Sequence, residues 1–172
     1  MKINLNKLLQ ITKIVVTAGL LILFLFLIYQ KLVPNNSLTY NYNFSGQERF
    51  IQGFYPEGRV AQYDDLQRII FEPVYLDVYS PRTFKKAKVI LRYYRPYDVQ
   101  AKFGLKLVQN DWAFYFEELP ETPDGYIDYE MEFDLTNAER IKNKYKFILA
   151  FQELGITNEK VLVDSIKITL EK

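Results

Sequence analysis

The sequence predicts an all-β domain, a two-sheet antiparallel β-sandwich, preceded by one N-terminal transmembrane helix. Three observations predict it. Residues Ile14–Tyr29 form an uncharged apolar run. From Tyr40 onward, Pro and Gly interrupt the chain at short intervals, between runs rich in Val, Ile, Tyr and Phe. That is the pattern of short strands joined by tight turns. Within one of those runs, Tyr126–Leu135, apolar and acidic residues alternate strictly, as a half-buried strand requires.

The apolar run comes first in the chain. Its 16 residues rise roughly 24 Å as a helix, short of a hydrocarbon layer of about 30 Å. Extending it from Ile11 to Val33 supplies the length, with Lys13 and Lys31 reaching toward the headgroups. Twelve of the 16 residues are Ile, Val, Leu or Phe, so insertion gains roughly 4–7 kcal/mol. The apolar run is longer than an ordinary signal peptide core, and Tyr29-Gln30-Lys31-Leu32-Val33-Pro34 offers no small-x-small cleavage site, which favours an uncleaved signal anchor. Three lysines precede the span and one follows it, which sets the N-terminus in the cytoplasm. The expected organisation is a short cytoplasmic segment over 1–13 and a transmembrane anchor over 14–33 with its core at 14–29. A linker over 34–39 and an extracytoplasmic domain over 40–172 follow.

Within the outer domain, strands are expected near Thr39–Phe44, Arg49–Phe54, Gln67–Phe71, Val74–Tyr79, Ala87–Tyr94, Ala101–Val108, Trp112–Glu118, Tyr126–Leu135, Lys144–Phe151 and Val161–Leu170. Asp64-Asp65-Leu66 suggests a short helical turn. In Val161–Leu170, Val163 and Ile166 break the period of two and leave Asp164 and Ser165 both outward. A β-bulge there restores the inward face for Ile166, Ile168 and Leu170.

Composition removes several function classes. The chain has 172 residues, no Cys and no His, so no disulfide framework, common hydrolase triad or His-ligated metal site is available. Lys2, Lys7, Lys13 and Lys31 are the only charges before Glu48, which leaves 18 basic and 21 acidic side chains in residues 34–172. That balance excludes a nucleic-acid surface, which needs a clustered basic footprint. No GxxxxGK[ST], GxGxxG or CxxC motif occurs, so nucleotide and zinc chemistry have no support.

Three groups of residues carry the candidate chemistry. Asp128, Glu130, Glu132 and Asp134 form an acidic stripe on one strand face, about 6–7 Å apart. The spacing suits paired glycosidase carboxylates, but a solvated stripe gives all four one environment, whereas an acid and a base need two. The preferred reading is a solvated face in a hairpin with the lysines of the next strand, bringing Glu132 to Lys144 and Glu130 to Lys146. No cofactor is called for; a contact with a charged partner, and after it a structural calcium ion on the stripe, are the alternatives. Arg92, Tyr94, Arg95 and Tyr97 mix guanidinium and phenol groups of the kind found at interface hot spots, but with Tyr93 turned inward the preferred reading is an ordinary amphipathic strand end, and a partner or glycan contact is the alternative. Tyr55 precedes Pro56 and Gly58 in an expected loop, where its ring is either open to a ligand or turned into the core, while Trp112, Phe114 and Phe116 are spaced as core aromatics.

Glu72–Pro96, Phe133-Asp134-Leu135, Tyr145–Phe151 and the closing VLVDSIKITL together resemble the strand pattern of galactose-binding-like jelly-roll domains, including carbohydrate-binding modules. The resemblance covers roughly residues 67–171. The run Pro73-Val74-Tyr75-x-Asp77-Val78-x-x-Pro81 is also similar to outer domains of membrane-anchored bacterial proteins. These resemblances imply a jelly-roll sandwich and transfer no ligand residue. Combined with the anchor, they lead to an expected non-catalytic recognition or adaptor domain contacting another envelope protein. The alternative is a glycan-binding module for cell-wall or surface polysaccharide, and a carboxylate-based glycosidase ranks third.

Overall fold

A computed structural model describes residues 5–32, 36–44, 50–63, 66–95, 99–109, 112–153 and 161–172. The chain divides into two compact units, residues 1–36 and residues 37–172. The first contains α1 (Leu5–Leu32). Its membrane-competent stretch, Leu9–Tyr29, has 21 residues, or about 31 Å of helix, which matches a hydrocarbon layer of about 30 Å. The helix is therefore longer than the uncharged run, because Lys13 lies inside it, with Thr17 Oγ1 donating to its backbone carbonyl. A helix this apolar and exposed on every side has the character of a membrane anchor or a signal sequence.

The second unit is an antiparallel β-sandwich. Its strands are β1 (Ser37–Tyr42), β2 (Ile51–Tyr55), β3 (Val60–Tyr63), β4 (Leu66–Ile69), β5 (Val74–Tyr79) and β6 (Lys86–Tyr94). They continue with β7 (Val99–Lys106), β8 (Phe114–Leu119), β9 (Ile127–Asp134), β10 (Arg140–Ile141), β11 (Lys144–Glu153) and β12 (Leu162–Glu171). The first sheet has the order β3-β4-β12-β6-β9, with β1 also paired to β12. The second has the order β2-β5-β11-β7-β8, with β10 paired to β11. From β4 to β7, and again from β8 to β12, successive long strands alternate between sheets, as the jelly-roll resemblance implies.

Alternation in each strand builds the core. Ala87, Val89, Leu91 and Tyr93 of β6 and Val163, Ile166, Ile168 and Leu170 of β12 point inward and are fully or almost fully buried. They meet Val74, Leu76 and Val78 of β5 and Tyr145, Phe147, Leu149 and Phe151 of β11. Phe133 of the first sheet joins the sheets by packing its edge on Phe147, centroids 5.7 Å apart, beside Phe103 at 6.1 Å. The β12 register shifts between Val163 and Ser165, so the bulge read from the sequence is present.

Several expectations need correction. Strand β9 pairs with β6 and not with β11. Glu132 and Glu130 therefore face Lys86 and Lys88, not Lys144 and Lys146, because the chain changes sheets after β9. Trp112 precedes β8 and is 81% exposed, and Phe116 is 38% exposed. The face assignment of β8 is inverted: Tyr115 turns its ring edge toward Phe133, 6.0 Å away, so Phe114 and Phe116 face out. Strands β3 and β10 were not anticipated. The helical turn falls at Glu57–Arg59. Leu66 opens β4, and Asp64 and Asp65 lie outside the described residues. Ile141 is 54% exposed, because the two-residue turn Lys142-Asn143, with both φ positive at 49° and 62°, carries it to the tip of a tight hairpin.

Candidate functional site

The outer face of the first sheet is a charged ladder. Register places Lys86 opposite Asp134, Lys88 opposite Glu132 and Arg92 opposite Asp128. The ion pairs form one step along this register: Lys86 Nζ lies 2.6 Å from Glu132 and Lys88 Nζ 2.7 Å from Glu130. The hydrogen bond from each ammonium to its glutamate raises the lysine pKa above its ordinary value. Arg92 bridges Asp128 at 3.4 Å and Asp164 of the bulge at 3.2 Å. Asp134 accepts the backbone N–H of Thr136 at 2.8 Å, and the hydrogen bonds from Thr136 lower its pKa. The acidic stripe is thus tied off by its own sheet. Among the described residues, no three carboxylates converge as metal ligands.

The residues singled out in the sequence do not share a surface. Arg92 and Tyr94 face outward from the first sheet, where the Tyr94 ring lies 6.0 Å from that of Tyr126. Tyr55 belongs to the second sheet. Tyr97 lies outside the described residues. Arg95 is 7% exposed. Its Nη1 donates to the Val99 carbonyl and its Nη2 lies 3.5 Å from Glu121, while its backbone N–H donates to Thr122 Oγ1 at 2.7 Å. It clamps two loops together and lines a cleft of about 580 Å³ with Gln100, Lys102, Glu118 and Tyr129.

The outer face of the second sheet is chemically different. Register brings Tyr55 of β2 opposite Tyr75 of β5, Tyr75 opposite Ile148 of β11, Ile148 opposite Gly104 of β7 and Gly104 opposite Phe116 of β8. Their inward neighbours Val74, Leu76, Phe147, Leu149, Phe103 and Leu105 are core residues, so alternation turns this row outward. The row crosses five strands, about 19 Å. Tyr55 and Tyr75 have ring centroids 5.6 Å apart, and Phe116 neighbours Phe114 at 5.8 Å.

Gly104 makes the row continuous. A Cβ at this position would lie 2.7 Å from both the Phe116 ring and the Tyr115 carbonyl oxygen, so only glycine lets the Phe116 ring lie down across β7. Ile148 between these rings is 5% exposed, yet it does not belong to the inter-sheet core. It is buried by the outer face itself.

Polar groups border the rings. Tyr55 donates its hydroxyl to Asp77 Oδ1 at 2.8 Å, and burial, reinforced by that bond, pushes its pKa well above the usual phenol value. Lys146 lies over both rings, 5.7 Å from the Tyr55 centroid and 5.4 Å from that of Tyr75. Lys144 reaches Gln52 at 3.3 Å and Asp77 at 3.9 Å. Asp77, Lys144 and Lys146 line a recess of about 170 Å³ shared with Glu139 and Ile141. On the other flank Lys102 lies 3.6 Å from Glu118. The arrangement offers flat apolar rings in a line with donors and acceptors on both sides. Of this row the sequence singles out Tyr55, but in a loop and not at the end of β2, and Phe116, but as a core aromatic; Tyr75 and Ile148 are not singled out. The residues of the row lie on five strands, and no local pattern announces it.

The class of protein defined so far is an antiparallel β-sandwich that follows an apolar, membrane-competent helix. No family model matches the chain, and no curated protein does. Solved structures with a similar arrangement include the C-terminal CBM6 of LamC, a marine laminarinase from Zobellia galactanivorans, at 11% identity and TM-score 0.44, covering 78% of this chain and 99% of that one. A CBM6 module from Cellvibrio mixtus lichenase 5A, solved with cellotriose, aligns at 10% identity and TM-score 0.42, covering 78% and 96%. The xylan-binding module CBM15 aligns at 14% identity and TM-score 0.39, covering 80% and 92%. At such low identity and TM-score, the likeness adds nothing to the geometry. What the face can hold is read from its own side chains.

Proposed function

We propose that the chain is a membrane-anchored, non-catalytic glycan-binding module, with the outer face of the second sheet as its binding surface. The observation that carries this reading is the row Tyr55, Tyr75, Ile148 and Phe116, made continuous by the Gly104 gap. Pyranose rings present flat C–H faces ringed by hydroxyls. A line of partly exposed aromatic rings bordered by Gln52, Asp77, Lys146, Lys102 and Glu118 complements both features. The rings are held before any ligand arrives, by the Tyr55–Asp77 hydrogen bond and by Lys146 over both tyrosines, which limits the entropy lost on binding.

A glycan is preferred here to an envelope protein partner. A stable protein interface needs about 800 Å² per side with a desolvated core, whereas this face is a narrow row flanked by charges. Catalysis gains no support from it: Asp77 and Glu118 lie three strand spacings across the sheet and four residues along it, roughly 20 Å, beyond the reach of a glycosidase pair. The apolar helix is read as an uncleaved anchor, with the short N-terminal segment cytoplasmic and the sandwich outside.

The test is binding of the detergent-solubilised full chain to a panel of cell-wall and surface polysaccharides by affinity electrophoresis and calorimetry. Tyr75→Ala and Phe116→Ala are each expected to weaken binding by about tenfold, while Arg92→Ala on the opposite sheet leaves it unchanged. Binding to no polysaccharide, or binding indifferent to both ring substitutions, overturns the reading.

A further inference from the structure

One end of the sandwich gathers exposed apolar groups that neither the core nor the aromatic row uses. Register places Ser37 opposite Glu171 and Lys86 opposite both Glu171 and Asp134. In the second sheet, Lys144 lies opposite Tyr79, and Lys106 opposite Phe114. The 80–85 connection joins the two sheets at this end, so all these residues share it. Here Trp112 is 81% exposed, Val108 65%, Ile141 54% and Phe50 53%. Trp112 and Val108 lie on the β7–β8 connection, with the Val108 N–H held by Asn137. Ile141 begins the β10–β11 turn. Phe50 precedes β2 at the opposite lateral edge, its carbonyl accepting from Tyr79 N–H at 2.8 Å. The apolar groups therefore extend across the whole end, with Lys85 and Lys142 exposed among them.

The chain enters the sandwich at this same end. Helix α1 ends at Leu32 and β1 begins at Ser37, five residue steps that span at most about 18 Å. If α1 is an uncleaved anchor, the end carrying Ser37 is held within that distance of the headgroups. Tryptophan and lysine are the side chains that favour this zone: the indole is amphipathic, and the ammonium meets phosphate while its stem lies in apolar surroundings.

We propose that the end of the sandwich bearing Phe50, Val108, Trp112 and Ile141 docks on the lipid surface to which the chain is tethered. This rests on the anchor reading and is independent of the glycan reading. Docking sets the strand axes across the plane of the membrane and leaves the aromatic row open sideways to a polymer lying along the surface.

The composition supplies the probe, because Trp112 is the only tryptophan and the chain has no Cys. The full chain is reconstituted in phosphatidylcholine–phosphatidylglycerol vesicles whose acyl chains carry bromine near the headgroups. The expected result is blue-shifted Trp112 emission, with at least about half of it lost to bromine quenching. A Val108→Ser/Ile141→Ser double variant should return the emission toward that of exposed indole with an unchanged melting temperature. Emission that stays water-like and unquenched, in chain that resists alkaline extraction, overturns the proposal. Loss of the chain from vesicles on alkaline extraction overturns the anchor reading and the proposal with it. Blue-shifted but unquenched emission, with disulfide crosslinks between copies of a Val108→Cys variant, assigns the end to self-association instead. Polysaccharide binding measured on the same samples reports separately on the glycan reading.

Discussion

Tyr40, Tyr93 and Tyr145 are buried with their hydroxyls engaged. Tyr40 donates to the Tyr79 carbonyl at 2.8 Å, Tyr93 donates to the Pro120 carbonyl at 2.7 Å, and Tyr145 accepts the Phe84 N–H at 3.4 Å. In a chain without disulfides, each ties a loop or edge segment to the core through a bond that would be costly to leave unmade. Burial pushes the Tyr40 pKa from 10.0 up to about 12, with Tyr79 adding to the shift. A folded pKa above the unfolded one means that the neutral phenol contributes its full stability below pH 10. That contribution is lost as pH climbs toward 12. Stability is therefore expected to stay level through neutral pH, where no histidine titrates, and to fall between pH 10 and 12. Chemical denaturation at stepped pH checks this, and Tyr40→Phe should make the fall shallower, the rest coming from the other raised phenols, Tyr55 and Tyr93. At the centre of the core, Phe133 is fully buried against Phe103 and Phe147. Phe133→Ala is expected to cost about 3–5 kcal/mol in urea unfolding, from lost transfer energy and an unfilled cavity.

Sequence legibility at the level of elements followed a physical divide. The alternation in Ile127–Asp134, the inward run of β6 and the bulge in β12 were readable because period-two burial is written residue by residue. Which strand lies beside which was not, since pairing depends on where the chain crosses between sheets. Lysines on both β6 and β11 offer the acidic stripe a partner, and only the topology selects β6. A charge swap tests the selection. Glu130→Lys should lower the melting temperature by roughly 1–3 °C, as expected for exposed pairs. Adding Lys88→Glu should restore it, whereas Lys146→Glu should not. The aromatic row was hidden for the same reason: its five positions lie on five strands between residues 55 and 148. Its dependence on one glycine can be measured separately. Gly104→Ala forces the Phe116 ring off β7 and is expected to weaken polysaccharide binding about as much as Phe116→Ala, since both break the row at the same point.

For the whole molecule, stability and function depend on how β12 closes the fold. The last strand in sequence is central in space, pairing with β1, β4 and β6, so the first sheet is complete only once the chain has emerged as far as Glu171. Its side chains Val163, Ile166, Ile168 and Leu170 are at most 1% exposed. At about 1.5–3 kcal/mol each, their burial contributes roughly 6–12 kcal/mol. That is comparable to the whole stability of an ordinary domain, about 5–15 kcal/mol. A chain ending at Val161 is therefore expected not to fold, because β1 and β4 would lose their partner and the first sheet would come apart around β6 and β9. The 37–172 unit, with β12 intact, is expected to unfold in one cooperative step. Far-ultraviolet circular dichroism and a thermal melt of the two fragments decide it. A cooperative melt from the shortened chain would mean that the two sheets hold together without their central strand, contrary to the pairing of β1, β4 and β6 on it.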